Sequence, residues 1–232
     1  MKLAGSTAFV TGANRGLGRH FAEQLLARGA TVYAGARDPG TVTVEGVTPV
    51  RIDLRDPASV TSAAEIVQGA NVLINNAGSS FGASLLTGDF DDIAGELDTH
   101  YLGTLRVIRA FVPQLTAAPQ AAVLNVLSVL SWFTMPAVSA YSAAKSAEWS
   151  LTNAVRQELA EHNVLVAGLH VGYMDTDMAR HVDGPKSDPA AVATLALDGL
   201  EAGQVEILAD ELSQQVRGGL AGGVTALYPQ FA

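Results

Sequence analysis

Tyr141 and Lys145 stand four residues apart in the run Ser139-Ala140-Tyr141-Ser142-Ala143-Ala144-Lys145, a spacing that puts both side chains on one face of a helix. A phenol beside an ammonium suits proton donation. Free tyrosine ionises near pH 10, and bringing that to about 7 takes roughly 4 kcal/mol of preferential stabilisation of the phenolate, which a neighbouring cation supplies. Lys145 is therefore expected to pull Tyr141 down. The chain holds only three lysines, at 2, 145 and 186, so the pairing has few competitors. Ser128 closes the expected strand Ala121 to Leu127 and so is expected to present its hydroxyl at the carboxyl edge, where it can hold a carbonyl oxygen opposite the phenol.

Such a group needs a second reactant held close by, and the other end of the chain offers the place. Ser6 to Thr11 reads as a short apolar strand, Gly12 to Gly18 as a glycine-rich turn, and the residues up to Leu26 as a helix with Phe21, Leu25 and Leu26 on its apolar stripe. Glycines at 12, 16 and 18 let the backbone approach a pyrophosphate closely, and the free N–H groups of the first helical turn face its charge. A tight strand-to-helix turn with no ligand would have the same pattern, so the motif counts only in its context.

Between these two ends, strands and helices alternate. Strands are expected at Ala30–Ala36, Thr48–Ile52, Val72–Ile74, Ala121–Leu127, Val164–Val171 and Val205–Leu208. Helices are expected at Ala58–Val67, at Asp89–Leu115 as one long amphipathic element, at Ser139–Ala160, Pro189–Leu200 and Asp210–Leu220, before a glycine-rich tail. The segment Thr41–Gly46 has no helical period, so one crossover is expected to lack its helix. Buried, non-alternating strands with helices between them predict an α/β fold. We expect a single-domain, doubly wound parallel sheet of Rossmann type over residues 1–232, with helices on both faces and the ligand outside the carboxyl ends of the strands.

Composition narrows the functions. A net charge of −9, with arginines scattered singly, leaves no basic face for nucleic acid. The absence of cysteine removes thiolate catalysis and thiolate metal sites, and the five histidines at 20, 100, 162, 170 and 181 lack metal-binding spacing, so no metal is expected. Asp175-Thr176-Asp177 is too poor in oxygen ligands for a cation cage. The N-terminus runs straight into the first strand, and no apolar run approaches membrane-spanning length. A soluble cytoplasmic protein is therefore expected, bound to no membrane.

Four motifs in order, Thr11-Gly12-x3-Gly16-x-Gly18, Asn75-Asn76-Ala77-Gly78, Ser128, and Tyr141-x3-Lys145, make the chain resemble a classical-type short-chain dehydrogenase/reductase over nearly its whole length. The resemblance implies that Tyr141 protonates a carbonyl oxygen during reduction, Ser128 positions that oxygen, Lys145 depresses the phenol pKa and binds the nicotinamide ribose, and the nicotinamide supplies hydride. It also implies a dinucleotide held by the turn residues Gly12, Asn14, Arg15, Gly16, Leu17 and Gly18. Asp53 and Leu54 would meet the adenine, with Asn75, Ala77 and Gly78 on the adenosine and ribose wall. Gly172, Met174 and Thr176 would lie near the nicotinamide, Thr176 at its carboxamide. His100 replaces the family's usual asparagine in a proton relay, and Val171-Gly172 replaces its usual Pro-Gly.

Cofactor choice turns on the end of the second strand, where Ala36 and Arg37 stand in place of the acidic residue common in NAD users. Arg15 and Arg37 together suit an adenosine 2′-phosphate, so NADP(H) is expected over NAD(H), although a shifted loop could bring Asp38 to the ribose. Trp132, Phe133, Met135, Tyr173 and Met178 are expected to border the substrate cleft and favour a small or medium apolar ketone, aldehyde or secondary alcohol. The expectation is an NADPH-dependent carbonyl reductase or alcohol dehydrogenase. The alternative is a dinucleotide-binding redox-sensing or scaffold protein with little turnover. By resemblance, the two long helices pair across a two-fold axis into a homodimer or homotetramer.

Overall fold

Strands covered on both faces must be apolar at successive positions, and the continuous apolar runs of this chain become such strands. The computed structural model describes residues 1–231. Its strands are β1 (Thr7–Thr11), β2 (Thr31–Ala36), β3 (Thr48–Arg51), β4 (Val72–Asn75), β5 (Ala121–Val126), β6 (Val164–His170) and β7 (Glu206–Leu208). They pair in parallel as one seven-stranded sheet in the order β3-β2-β1-β4-β5-β6-β7. The chain winds outward from β1 through β2 to β3, then returns to lay β4 on the other side of β1. That reversal opens a crevice at the carboxyl ends of β1 and β4.

The helices are α1 (Gly16–Ala27), α2 (Pro57–Ile66), α3 (Phe90–Leu97), α4 (Thr104–Ala117), α5 (Ser139–Glu158), α6 (Pro189–Glu201), α7 (Glu211–Gly219) and α8 (Gly223–Leu227). Side chains alternate across the sheet, so each strand feeds two cores. On one face Ala8, Val10, Ile74 and Leu124 pack under Phe21 and Leu25 of α1 and Val192 and Leu197 of α6. On the other, Phe9, Leu73, Val123 and Val166 pack under Val60 of α2, Ile108 and Phe111 of α4, and Leu151 and Val155 of α5. No helix among the described residues is long and apolar enough to cross a membrane.

The structure corrects the sequence reading in two places. The expected single helix over Asp89–Leu115 is three elements: α3, a π-helical stretch at Asp98–Gly103, and α4. The apolar spacing is continuous through all three, which hid the break. The wider winding carries His100 inward, where it is 1% exposed, and Gly103 lies so near Leu54 that a Cβ would stand 2.9 Å from the Leu54 Cβ. The glycine-rich tail also holds structure, since α8 folds back and the Tyr228 hydroxyl accepts the Thr134 N–H at 2.8 Å. Other boundaries move by a residue or two. The expected gap between β2 and β3 holds only a short turn at Pro39–Thr41, capped by Asp38.

Candidate active site

The crevice is a cleft of about 660 Å³ above the carboxyl ends of the central strands. Its floor at β1 is the glycine turn, with Gly12 and Gly16 at φ of +66° and +52°, backbone that side chains disfavour. A Cβ on Gly12 would stand 2.9 Å from the Ala77 Cα, and one on Gly16 would stand 3.3 Å from the Thr176 methyl. No side chain caps the N-terminus of α1 and no acidic residue sits in its first turn, so its N–H groups remain open to an anion. The neighbouring loop is locked to the turn by Thr11, whose hydroxyl oxygen accepts the Asn76 and Ala77 N–H groups, each at 3.0 Å. A narrow cradle with unpaired amides fits a dinucleotide pyrophosphate.

Most residues singled out from sequence meet in this cleft. Gly12, Asn14, Arg15, Gly16 and Leu17 line it from β1 and α1, Arg37, Asp53 and Leu54 from the ends of β2 and β3, and Ala77 and Gly78 from the loop after β4. Gly172, Met174 and Thr176 line it after β6, and Ser128, Tyr141, Lys145 and His100 complete it. Three do not line it. Gly18 lies behind the turn, where a Cβ would stand 2.1 Å from the Gly12 carbonyl oxygen, so it serves helix-to-strand packing. Asn75 is the last residue of β4 and points inward, its Nδ2 donating to Asn125 Oδ1 at 2.8 Å. Asn76 lines the cleft instead. Trp132 is buried against the His170 ring, with centroids 3.6 Å apart, while Phe133, Met135, Tyr173 and Met178 do border the cleft.

Helix α5 carries Tyr141 and Lys145 on one face, with the ammonium 5.9 Å from the phenol ring centre. Lys145 Nζ donates to the Val126 carbonyl at 2.8 Å and to Glu148 Oε2 at 2.6 Å. Ser128 lies just past the end of β5. Its hydroxyl oxygen accepts the Leu130 N–H at 3.1 Å. The expected fall in the phenol pKa is not what this geometry produces. Burial raises Tyr141; Lys145 and the neighbouring Ser128 pull it down, Glu148 and Glu96 push it up, and the net direction is upward. Burial alone would lower Lys145, but Glu148, Tyr141 and Glu96 outweigh it and hold the ammonium above the usual lysine range.

His100 lies edge-on to Tyr141 with ring centres 5.1 Å apart. Its Nε2 is 2.9 Å from the Ser79 carbonyl oxygen and 3.4 Å from the Ser79 N, and its Nδ1 is buried without a hydrogen-bond partner. Gly78 makes room for this ring, since a Cβ there would stand 2.8 Å from His100 Cε1.

Sequence reasoning missed two carboxylates. Glu148, three residues after Lys145 on its own helix, is 2% exposed, and Glu96 is fully buried, with Oε1 accepting the Phe81 N–H at 2.7 Å. The spacing of Lys145 and Glu148 was the available signal, but it reads equally well as a solvated pair. At the adenosine side, Arg37 lines the cleft and makes no ion pair among the described residues. Arg15 instead reaches across the cleft to Asp177 Oδ2 at 3.2 Å, and Asp177 also pairs with Arg180. Asp210 holds the Gly172 N–H at 2.6 Å. Tyr228 stacks on Phe133 with centres 5.3 Å apart.

A family profile described as short chain dehydrogenase matches residues 6–186. The cattle protein named dehydrogenase/reductase SDR family member 7B is 30% identical over 76% of this chain, a match that spans 61% of that protein's own length. A crystal structure of a short chain dehydrogenase from Burkholderia cenocepacia in complex with NADP is 37% identical, covers 99% of this chain and 98% of its own, and superposes with a TM-score of 0.94. A short chain dehydrogenase/reductase from Burkholderia phymatum in complex with NAD shares the fold at 23% identity, 95% coverage of both chains and a TM-score of 0.88. With the cradle and the parallel sheet in place, these matches make the chain a member of the short chain dehydrogenase family.

Proposed function

We propose that the chain is one dinucleotide-binding domain that transfers hydride between NADP(H) and a small or medium apolar ketone, aldehyde or secondary alcohol, with Tyr141 as the general acid and base. The observation that carries this reading is the meeting of Ser128, Tyr141 and Lys145 at one wall of the cleft whose other wall is the glycine cradle. When bound, the nicotinamide supplies hydride at carbon. Tyr141 gives its hydroxyl proton to the carbonyl oxygen, Ser128 donates to that same oxygen, and Lys145, pinned by Val126 and Glu148, keeps its remaining donor for the cleft. Phe133, Met135, Tyr173 and Met178 supply the apolar wall that favours an apolar substrate.

Preference for NADP(H) is supported by Arg37 at the cleft edge and by the NADP complex of the Burkholderia cenocepacia protein, while the NAD complex of the more distant relative keeps NAD(H) in view as the second cofactor. Exposed Phe90, Leu97 and Leu102 along α3 and the π stretch support a homodimer or homotetramer. Titration with NADPH and NADH by nicotinamide fluorescence tests the cofactor. Tenfold tighter NADPH, about 1.4 kcal/mol, supports it, and equal affinity removes the roles given to Arg15 and Arg37. A carbonyl panel with Tyr141→Phe tests the chemistry. Turnover should vanish with cofactor affinity kept, and a variant of full activity would overturn the assignment.

A further inference from the structure

The segment between Ser128 and α5 forms part of the cleft wall, through Phe133 and Met135, yet has little hold of its own. It runs from a short turn at Val129–Ser131 to another at Pro136–Val138. Between the two, no backbone-to-backbone hydrogen bond involves Phe133 or Thr134 among the described residues. Backbone without such bonds opens at little cost, so a wall made from it must be held from outside.

The hold comes from residue 228. Val224, Thr225 and Ala226 before it and Pro229 and Gln230 after it are exposed, while Leu227 and Tyr228 turn inward and are half-buried. The Tyr228 hydroxyl oxygen accepts the Thr134 N–H at 2.8 Å, and its ring stacks on Phe133 with centres 5.3 Å and planes 25° apart. Phe231 leans on the Tyr228 ring with centres 6.3 Å apart. The support is itself anchored. The Tyr228 N–H donates to the Val224 carbonyl at 2.8 Å, closing α8. Asp210 accepts the Ser213 N–H at 2.7 Å and the Gly172 N–H at 2.6 Å, so α7 is tied to the strand end on the far side of the cleft. Arg217 of α7 pairs with Glu206 at 2.8 Å, and its guanidinium stands 5.8 Å from the centre of the Trp132 ring.

We propose that Tyr228 is a positioning residue that sets the size of apolar group the cleft accepts. By stacking on Phe133 and taking the Thr134 N–H, it holds this wall in and selects smaller apolar carbonyl compounds over bulky ones. The inference rests on the proposed reading of the cleft as a site for apolar carbonyl compounds and their alcohols. Tyr228 itself is not among the residues that line the cleft, so it acts through Phe133 and Thr134. Pockets discriminate by about tenfold or more over a single methylene, so a small retreat of an aromatic wall is enough to be measured.

Prodan, a fluorescent naphthyl ketone, reports on the wall through its own emission, and cyclohexanone competing with it supplies the small ligand. With NADP+ present neither ketone is reduced. In Tyr228→Ala the ratio of the two dissociation constants should move about tenfold in favour of prodan. Tyr228→Phe keeps the ring on Phe133 and loses only the acceptor for Thr134, so it should recover part of that shift and carries the test with the fold least disturbed. Hydrogen exchange at the Thr134 amide should quicken in both variants. With NADPH, kcat for cyclohexanone should stay within about twofold while KM carries the change. An unchanged ratio in both variants would overturn the inference even if melting temperatures fall, because a purely structural role does not sort ligands by size. A shifted ratio with neither ketone reduced would instead remove the catalytic reading and leave the role of Tyr228 standing. Reduction of both ketones with the ratio unmoved would do the reverse.

Discussion

Gly78→Ala isolates the contact between the loop after β4 and the histidine beside Tyr141. The added methyl would lie 2.8 Å from His100 Cε1, well inside van der Waals contact. The ring cannot swing away easily. It is 1% exposed, its Nε2 is held by the Ser79 carbonyl, and its edge lies on Tyr141. Overpacking of this kind costs about 1–3 kcal/mol, and for a chain of this size each kcal/mol lowers Tm by about 2–4 °C, so the variant should melt about 2–12 °C lower. His100→Ala removes the obstacle and leaves a cavity of its own. The double variant should therefore be more stable than the sum of the single losses predicts, by about the overpacking energy. Thermal melts of the four proteins without cofactor measure this coupling, free of any effect of Gly78 on ligand binding. Strict additivity would refute the reasoning and place the strain of the Ala variant elsewhere.

Gly18→Ala puts a methyl 2.1 Å from a backbone oxygen that cannot yield, so a loss on the order of 3 kcal/mol is expected in denaturant melts, with cofactor binding lost as the turn distorts. Asp177→Asn frees Arg15 from an exposed pair worth about 0–1 kcal/mol; stability should hold, NADPH should bind up to about fivefold tighter and NADH should be unchanged, as read by fluorescence titration. Burial brings His170 down to about 4 from the usual 6.5, so its neutral form stabilises the fold above pH 6.5 and that contribution is lost as pH falls from 6.5 toward 4. Between pH 7 and pH 5 the loss is about 2 kcal/mol, and His170→Phe, which keeps the stack on Trp132, should flatten that part of the stability curve in urea melts at the two pH values.

The sheet was legible because Val72-Leu73-Ile74 and Ala121 to Leu124 are apolar at successive positions, as a strand covered on both faces requires. The break at Asp98–Gly103 was not, because Leu97, Tyr101 and Leu105 keep helical spacing straight through it. In the Asn75-Asn76 pair, sequence does not say which residue is the last of the strand, and that parity decides which asparagine faces the core and which the cleft. The positions of Tyr141, Lys145 and Ser128 were legible because a helix turn and a strand end fix them locally. The ionisation of Tyr141 was misjudged first because sequence does not show how deeply the phenol is buried, and then because Glu148 and Glu96 read as surface acids until tertiary packing buries them. Arg15 was expected at a phosphate, and its contact with Asp177 is made across a span of sequence that no local pattern reports.

Tyr228 reaches back from the far end of the described chain to brace Phe133 and the Thr134 backbone, and Phe133 forms part of the apolar wall. The residues proposed to transfer the proton, Tyr141 and Lys145, sit on a different element, α5. Selection can therefore act on which molecules are accepted by altering residues 223–231 while the machinery on α5 is inherited intact. Divergence of substrate range within a lineage built on this plan would then show first as drift in residues 223–231, with Tyr141 and Lys145 unchanged.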